Sequence, residues 1–127
     1  MSLALALLLM AAPPAVFVDE KDVVRKERPP HAGKGMSTAY RISDVAPNRT
    51  MEFRKRVLHK GASIGLHVLS HDEVYYVLSG EGEVTSDGVT KRLGAGGAAY
   101  LYKGANVGIA QVVDEDLTLI ISYPVPK

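Results

Sequence analysis

"GASIGLHVLSHDEVYYVLSG", Gly61 to Gly80, carries His67, His71, Asp72 and Glu73 and closes on an apolar run. His67, Leu69, His71 and Glu73 share parity, so a straight strand would point all four to one face. At about 3.3 Å per residue, His67 and Glu73 would then stand about 20 Å apart. One metal ion, with bonds of about 2.0 to 2.2 Å, cannot reach both. A shared site therefore requires the chain to turn between them, and Ser70-His71-Asp72 has the polar, turn-favouring character for it. On that reading His67 ends one strand, Glu73 opens the next, and the two face each other across a hairpin with His71 at its bend.

Outward from this hairpin the pattern repeats. "STAYRISDV", "MEFRKRVL", "EGEVTSDGVTKRL", "AAYLYKG", "NVGIAQVV" and "LTLIISYPV" read as short strands separated by glycine- or Asp-containing turns. In "MEFRKRVL", Met51, Phe53 and Lys55 share one face and Glu52, Arg54 and Arg56 the other. Ser86-Asp87-Gly88 is a hairpin signal. From residue 37 onward, no ten-residue stretch free of Gly and Pro has a helical period. The expected fold is all-β, a barrel or doubled sheet that leaves few bare edges.

Composition bounds the function. A chain of 127 residues, 46% hydrophobic and 23% charged, suits one globular domain with a substantial core. The formal net charge of +1 gives no electrostatic case for nucleic acid. Cysteine is absent, which excludes disulfides, thiol catalysis and Cys-ligated metals. Residues 1–18 lack charge, and Leu3 to Met10 has the length of an export-signal core. The expectation is an exported chain, periplasmic or extracellular, with no stable membrane span once the leader is removed. It is cytoplasmic if the leader is not a functional signal. Residues 19–36 read as a polar, irregular arm, and residues 37–127 as the barrel.

With those residues in place, the chain resembles the cupins, small jelly-roll (double-stranded β-helix) barrels. Their first motif is a glycine, five residues, His-x-His, three or four residues, Glu, six residues and a glycine. Gly61, His67, Leu69, Glu73 and Gly80 fall into that register. For the second motif, Gly96 and Gly104 match, Tyr102 stands at the proline, Val107 at the histidine and Gln111 at the asparagine. The resemblance implies a divalent metal (Fe, Zn, Ni or Mn) held by two His and a Glu of the first motif and one His of the second. Here two of those positions are Leu69 and Val107, which have no lone pair to give. His67 and Glu73 survive, and His71 is the residue that could restore a two-His-one-carboxylate set.

The other reading is metal-free. Leu69 and Val107 then line an apolar pocket with Tyr75, Tyr100, Tyr102 and Gln111. His67 and Glu73 form either an internal ion pair or a catalytic acid–base pair for an isomerase or lyase. Three function classes follow: an enzyme acting on a small polar molecule, a non-catalytic ligand-binding or sensing module, or a purely structural role in a dimer. The resemblance also implies a homodimer paired through sheets and N-terminal arms. The local cluster Arg54, Lys55, Arg56, His59 and Lys60 reads first as a solvated strand face, with recognition of an anionic substrate as the second reading.

Overall fold

A computed structural model describes residues 12–126. The apolar core of the expected leader, Leu3 to Met10, lies outside the described residues. Among those described, no helix is long and apolar enough to cross a membrane.

Among the described residues, ten strands form two antiparallel sheets: β1 (Val24–Glu27), β2 (Ser37–Tyr40), β3 (Met51–Leu58), β4 (Ser63–Val68), β5 (Glu73–Ser79), β6 (Glu81–Ser86), β7 (Val89–Leu93), β8 (Ala98–Leu101), β9 (Asn106–Val112) and β10 (Leu117–Pro124). The larger sheet runs β1-β2-β3-β10-β5-β8 and the smaller β4-β9-β6-β7. The only helical pieces among the described residues are short 3-10 turns at Glu20–Asp22 and Ile42–Val45. This is the all-β jelly roll the sequence predicts. The arm of residues 19–36 is not wholly irregular, because Val24–Glu27 pairs antiparallel with β2 and extends the larger sheet.

Between the sheets lies one core that includes Leu58, Val77, Val107, Ile109, Leu117 and Leu119. Full burial of each such side chain is worth about 1.5–3 kcal/mol. Turns set the registers. Asp87 and Gly88 both take positive φ, 49° and 80°, between the paired ends Ser86 and Val89. That backbone twist suits a two-residue hairpin, and Gly88 adopts it without steric cost.

The inward faces of β3, β10 and β5 change character along the barrel, and this places the site. Register partners are Leu117 with Leu58, then Leu119 with Arg56 and Val77, then Ile121 with Arg54 and Tyr75, then Tyr123 with Glu52. One end of the barrel is therefore packed hydrocarbon. The other is walled by guanidinium, phenol and carboxyl groups. The arm crosses this polar end: Gly65 N–H donates to the Pro30 carbonyl and Ser63 N–H to the Lys34 carbonyl. A Cβ on Gly65 would run into the His31 carbonyl oxygen, so glycine is what lets the arm lie this close.

Candidate functional site

The polar end holds a cavity of about 270 Å³, lined from both sheets and the arm. Glu73, the first residue of β5, points into it and is 7% exposed. Burial pushes its carboxyl above the ordinary value, while the Tyr75 hydroxyl and the charges of His71 and His67 pull the other way. Tyr75 follows on the same face at 1% exposure, and burial together with the Glu73 charge keeps it a neutral phenol.

His67, near the end of β4, lines the same cavity. Its Nδ1 lies 2.9 Å from the Gly65 carbonyl oxygen, which can only accept, so Nδ1 carries a proton and Nε2 is the lone-pair nitrogen of the neutral ring. The ring of His31, from the arm, stacks on it at 3.4 Å between centroids and 5° between planes. Burial, then the charge of His67, hold His31 below its ordinary pKa, which favours a neutral His31 ring in the stack.

Opposite stands a network of charged groups. Arg41 donates to both Glu27 oxygens at 3.0 and 2.9 Å, and Arg56 reaches Glu27 at 3.2 Å and the Ser37 hydroxyl at 2.8 Å. Burial alone would raise the Glu27 carboxyl, but the two guanidiniums more than offset this and hold it low. Next to them, Glu52 accepts from Arg49 at 2.6 and 3.1 Å, from Arg54 at 3.1 Å and from Ser43 at 2.7 Å. Its carboxyl is pulled down to about 2, first by the hydrogen bonds from Arg49.

These arginines correct the reading of Arg54 and Arg56 as a solvated face. Arg56 is 6% exposed, and both residues line the cavity. Sequence reasoning did not find Arg41, His31 or Tyr123 at all. Arg54 and Arg56 share parity with Leu58, which is buried completely, and so face inward with it.

Of the six residues assigned to the pocket, only Tyr75 lines this cavity. Leu69 and Val107 are buried in the core cluster instead. Tyr100 and Tyr102 sit outside, rings tilted at 57° and centroids 5.1 Å apart, because β8 turns Leu101 inward and Tyr100 outward. The Tyr100 hydroxyl donates to Asp72 at 2.6 Å, and Lys103 N–H to the other Asp72 oxygen at 2.9 Å. Gln111 works at the hydrocarbon end. Its amide donates to the carbonyls of Val112, Val113 and Glu115 while its oxygen accepts from Gly61 N–H.

The residues expected to hold a metal are His67, His71 and Glu73. His71 lies at the bend, with Nδ1 3.1 Å from the Asp72 carbonyl oxygen and its ring stacked on Tyr123 at 4.4 Å. Among the described residues, no three His, Asp or Glu side chains gather closely enough to hold a metal ion. As arranged, these donors do not make a metal cage.

No protein of curated function matches the chain. Among solved structures, a protein of Thermotoga maritima described as a predicted oxalate decarboxylase is 23% identical with a TM-score of 0.76, over 87% of this chain and 100% of that one. An RmlC-like cupin from Shewanella frigidimarina is 25% identical with a TM-score of 0.62, over 72% and 78%. A polyketide cyclase from Streptomyces resistomycificus is 19% identical with a TM-score of 0.72, over 87% and 80%. The cupin domain profile matches residues 55–123. That span takes in the hairpin with His67, Glu73 and Tyr75 and both motifs, and on it the chain belongs to the cupin domain family.

Proposed function

We propose that this cupin binds a small molecule in the polar end of its barrel and moves a proton on it at Glu73. The observation that carries the reading is convergence. Three groups able to give or take a proton, the Glu73 carboxyl, the Tyr75 hydroxyl and His67, line one cavity of about 270 Å³. That volume is just below the range for drug-sized ligands and suits a compact metabolite. A carboxyl whose pKa is raised by burial sits closer to neutrality than an exposed one, where general acid–base catalysis is most effective. His67 Nε2 is a second site for the proton. The reaction class this supports is proton transfer at carbon or oxygen, as in an isomerase or lyase. Pairing of two copies through the outer face of the larger sheet belongs to the same proposal, supported by exposed Phe53, Tyr76 and Leu78.

Exchange of carbon-bound hydrogen for deuterium tests it directly. Small aldehydes, ketones and hydroxy acids are incubated with the protein in heavy water and followed by NMR. Glu73→Gln is expected to cut exchange of any accepted compound by about 100-fold or more. Equal exchange in both proteins would remove Glu73 from the chemistry.

A further inference from the structure

The charges on the cavity wall do not balance. Arg41, Arg49, Arg54 and Arg56 share Glu27, Asp44 and Glu52 through ion pairs of 2.6 to 3.8 Å. Of the Arg, Lys, Asp and Glu side chains that line the cavity itself, Arg28, Arg41, Arg54, Lys55 and Arg56 stand against Glu27 and Glu73. Glu73 has no ion pair with an arginine among the described residues. A surplus cation in a partly buried wall is costly unless an anion approaches it.

A second, independent observation concerns hydrogen bonding. The Nε atoms of Arg41 and Arg54 are buried and donate to no acceptor among the described residues. Both arginines line the cavity. Buried donors of this kind are uncommon and mark a guanidinium wall whose hydrogen-bonding capacity its own carboxylates do not exhaust.

We propose that the molecule held in this cavity is a small organic carboxylate, its carboxylate head set among Arg41, Arg54 and Arg56 and its remaining carbons and oxygens turned towards Glu73, Tyr75 and His67. A guanidinium presents a planar fork that matches a carboxylate. Glu73 lines the same cavity, which favours a singly charged head over a phosphate monoester at about −1.5 to −2. Ile64, Ile121 and Ala39 supply an apolar wall for a short carbon chain. The inference rests on reading the cavity as a ligand site and adds the chemical class of its occupant.

The test uses the full chain at low ionic strength, with glycolate, malate and citrate as probes. Their amides serve as uncharged controls and inorganic phosphate as a competing anion. Binding is read by calorimetry and by NMR shifts of His67 and Tyr75. At least one carboxylate is expected to bind about tenfold or more tightly than its amide, as charge-assisted hydrogen bonds warrant. Arg54→Lys keeps the charge but loses the fork, and should weaken that binding by about fivefold or more with the melting curve as the check on folding. Should amides move the His67 and Tyr75 signals as strongly as carboxylates do, the class is wrong while the ligand site stands. Binding of phosphate alone likewise overturns the carboxylate assignment. If no probe moves those signals, the carboxylate proposal falls, and the exchange measurement on Glu73 decides separately whether the site works at all.

Discussion

Glu73 shows how one residue can be held away from its ordinary behaviour by position alone. Its folded carboxyl titrates above the unfolded one because burial outweighs the help of Tyr75 and the nearby histidines. A raised carboxyl favours the folded state only while protonated, so its contribution is present in acid and is lost as pH rises through the folded pKa. At pH 7 the charge is therefore a cost. Glu73→Gln should raise the thermal midpoint at pH 7 by roughly 2–4 °C and leave it unchanged near pH 3.5. An equal change at both pH values would mean packing, not charge, controls the residue. Leu69 and Val107 teach the opposite lesson. The sequence correctly shows hydrocarbon at two positions where the family has ligands, yet parity could not say that both would join the core. The ladder between β4 and β9 carries an irregularity between Ile64 and His67, just before the pair His67–Val107, and a period of two cannot be counted across such a break.

Among the elements, β3 was legible in period but not in orientation. Its alternation is plain, but Met51 and Phe53 make the outward face look like the buried one. The choice is settled by partners far along the chain. Leu58 must meet Leu117 on β10, and that pairing carries Arg56 and Arg54 inward with it. Neither strand alone contains the information. The arm was less legible still, because its docking depends on glycines. Gly33 and Gly65 lie where a Cβ would strike the Ser63 and His31 carbonyl oxygens. Gly65→Ala is expected to lift the arm, break the Gly65 N–H bond to Pro30 and unstack His31 from His67, at a cost of about 1–3 kcal/mol. Hydrogen exchange should then speed up across residues 30–35 while the amides of β5 and β10 stay protected. Uniform loss of protection would show that the arm and barrel unfold as one unit.

On the scale of the whole molecule, the barrel joins a hydrocarbon end to a charged end, and the two should respond differently to acid. Glu52 at about 2 and Glu27 held below its ordinary value both stabilise the fold above the unfolded carboxyl pKa of about 4.5. That stabilisation is lost as pH falls through the folded values. His31 acts in the same direction at higher pH. Its lowered pKa makes protonation unfavourable in the folded state, so stability falls as pH drops below about 6.5. Glu73 works against both, gaining as pH falls, but one group cannot offset the network. The shift at Glu52 alone sets an upper bound of about 3 kcal/mol, reduced by solvent screening at its partly exposed partner Arg49. Urea unfolding of the wild-type chain should therefore weaken steeply between pH 4.5 and pH 2.5. Glu52→Gln should start lower at pH 6.5, by no more than that amount, and show a flatter acid limb. Hydrogen exchange at pH 3 should open β1, β2 and the arm before β9 and β10, because Leu117, Leu119 and Ile109 have nothing to titrate. If the acid limbs of the two proteins run parallel, the arginine network is not what acid breaks, and the charged end is held by packing alone.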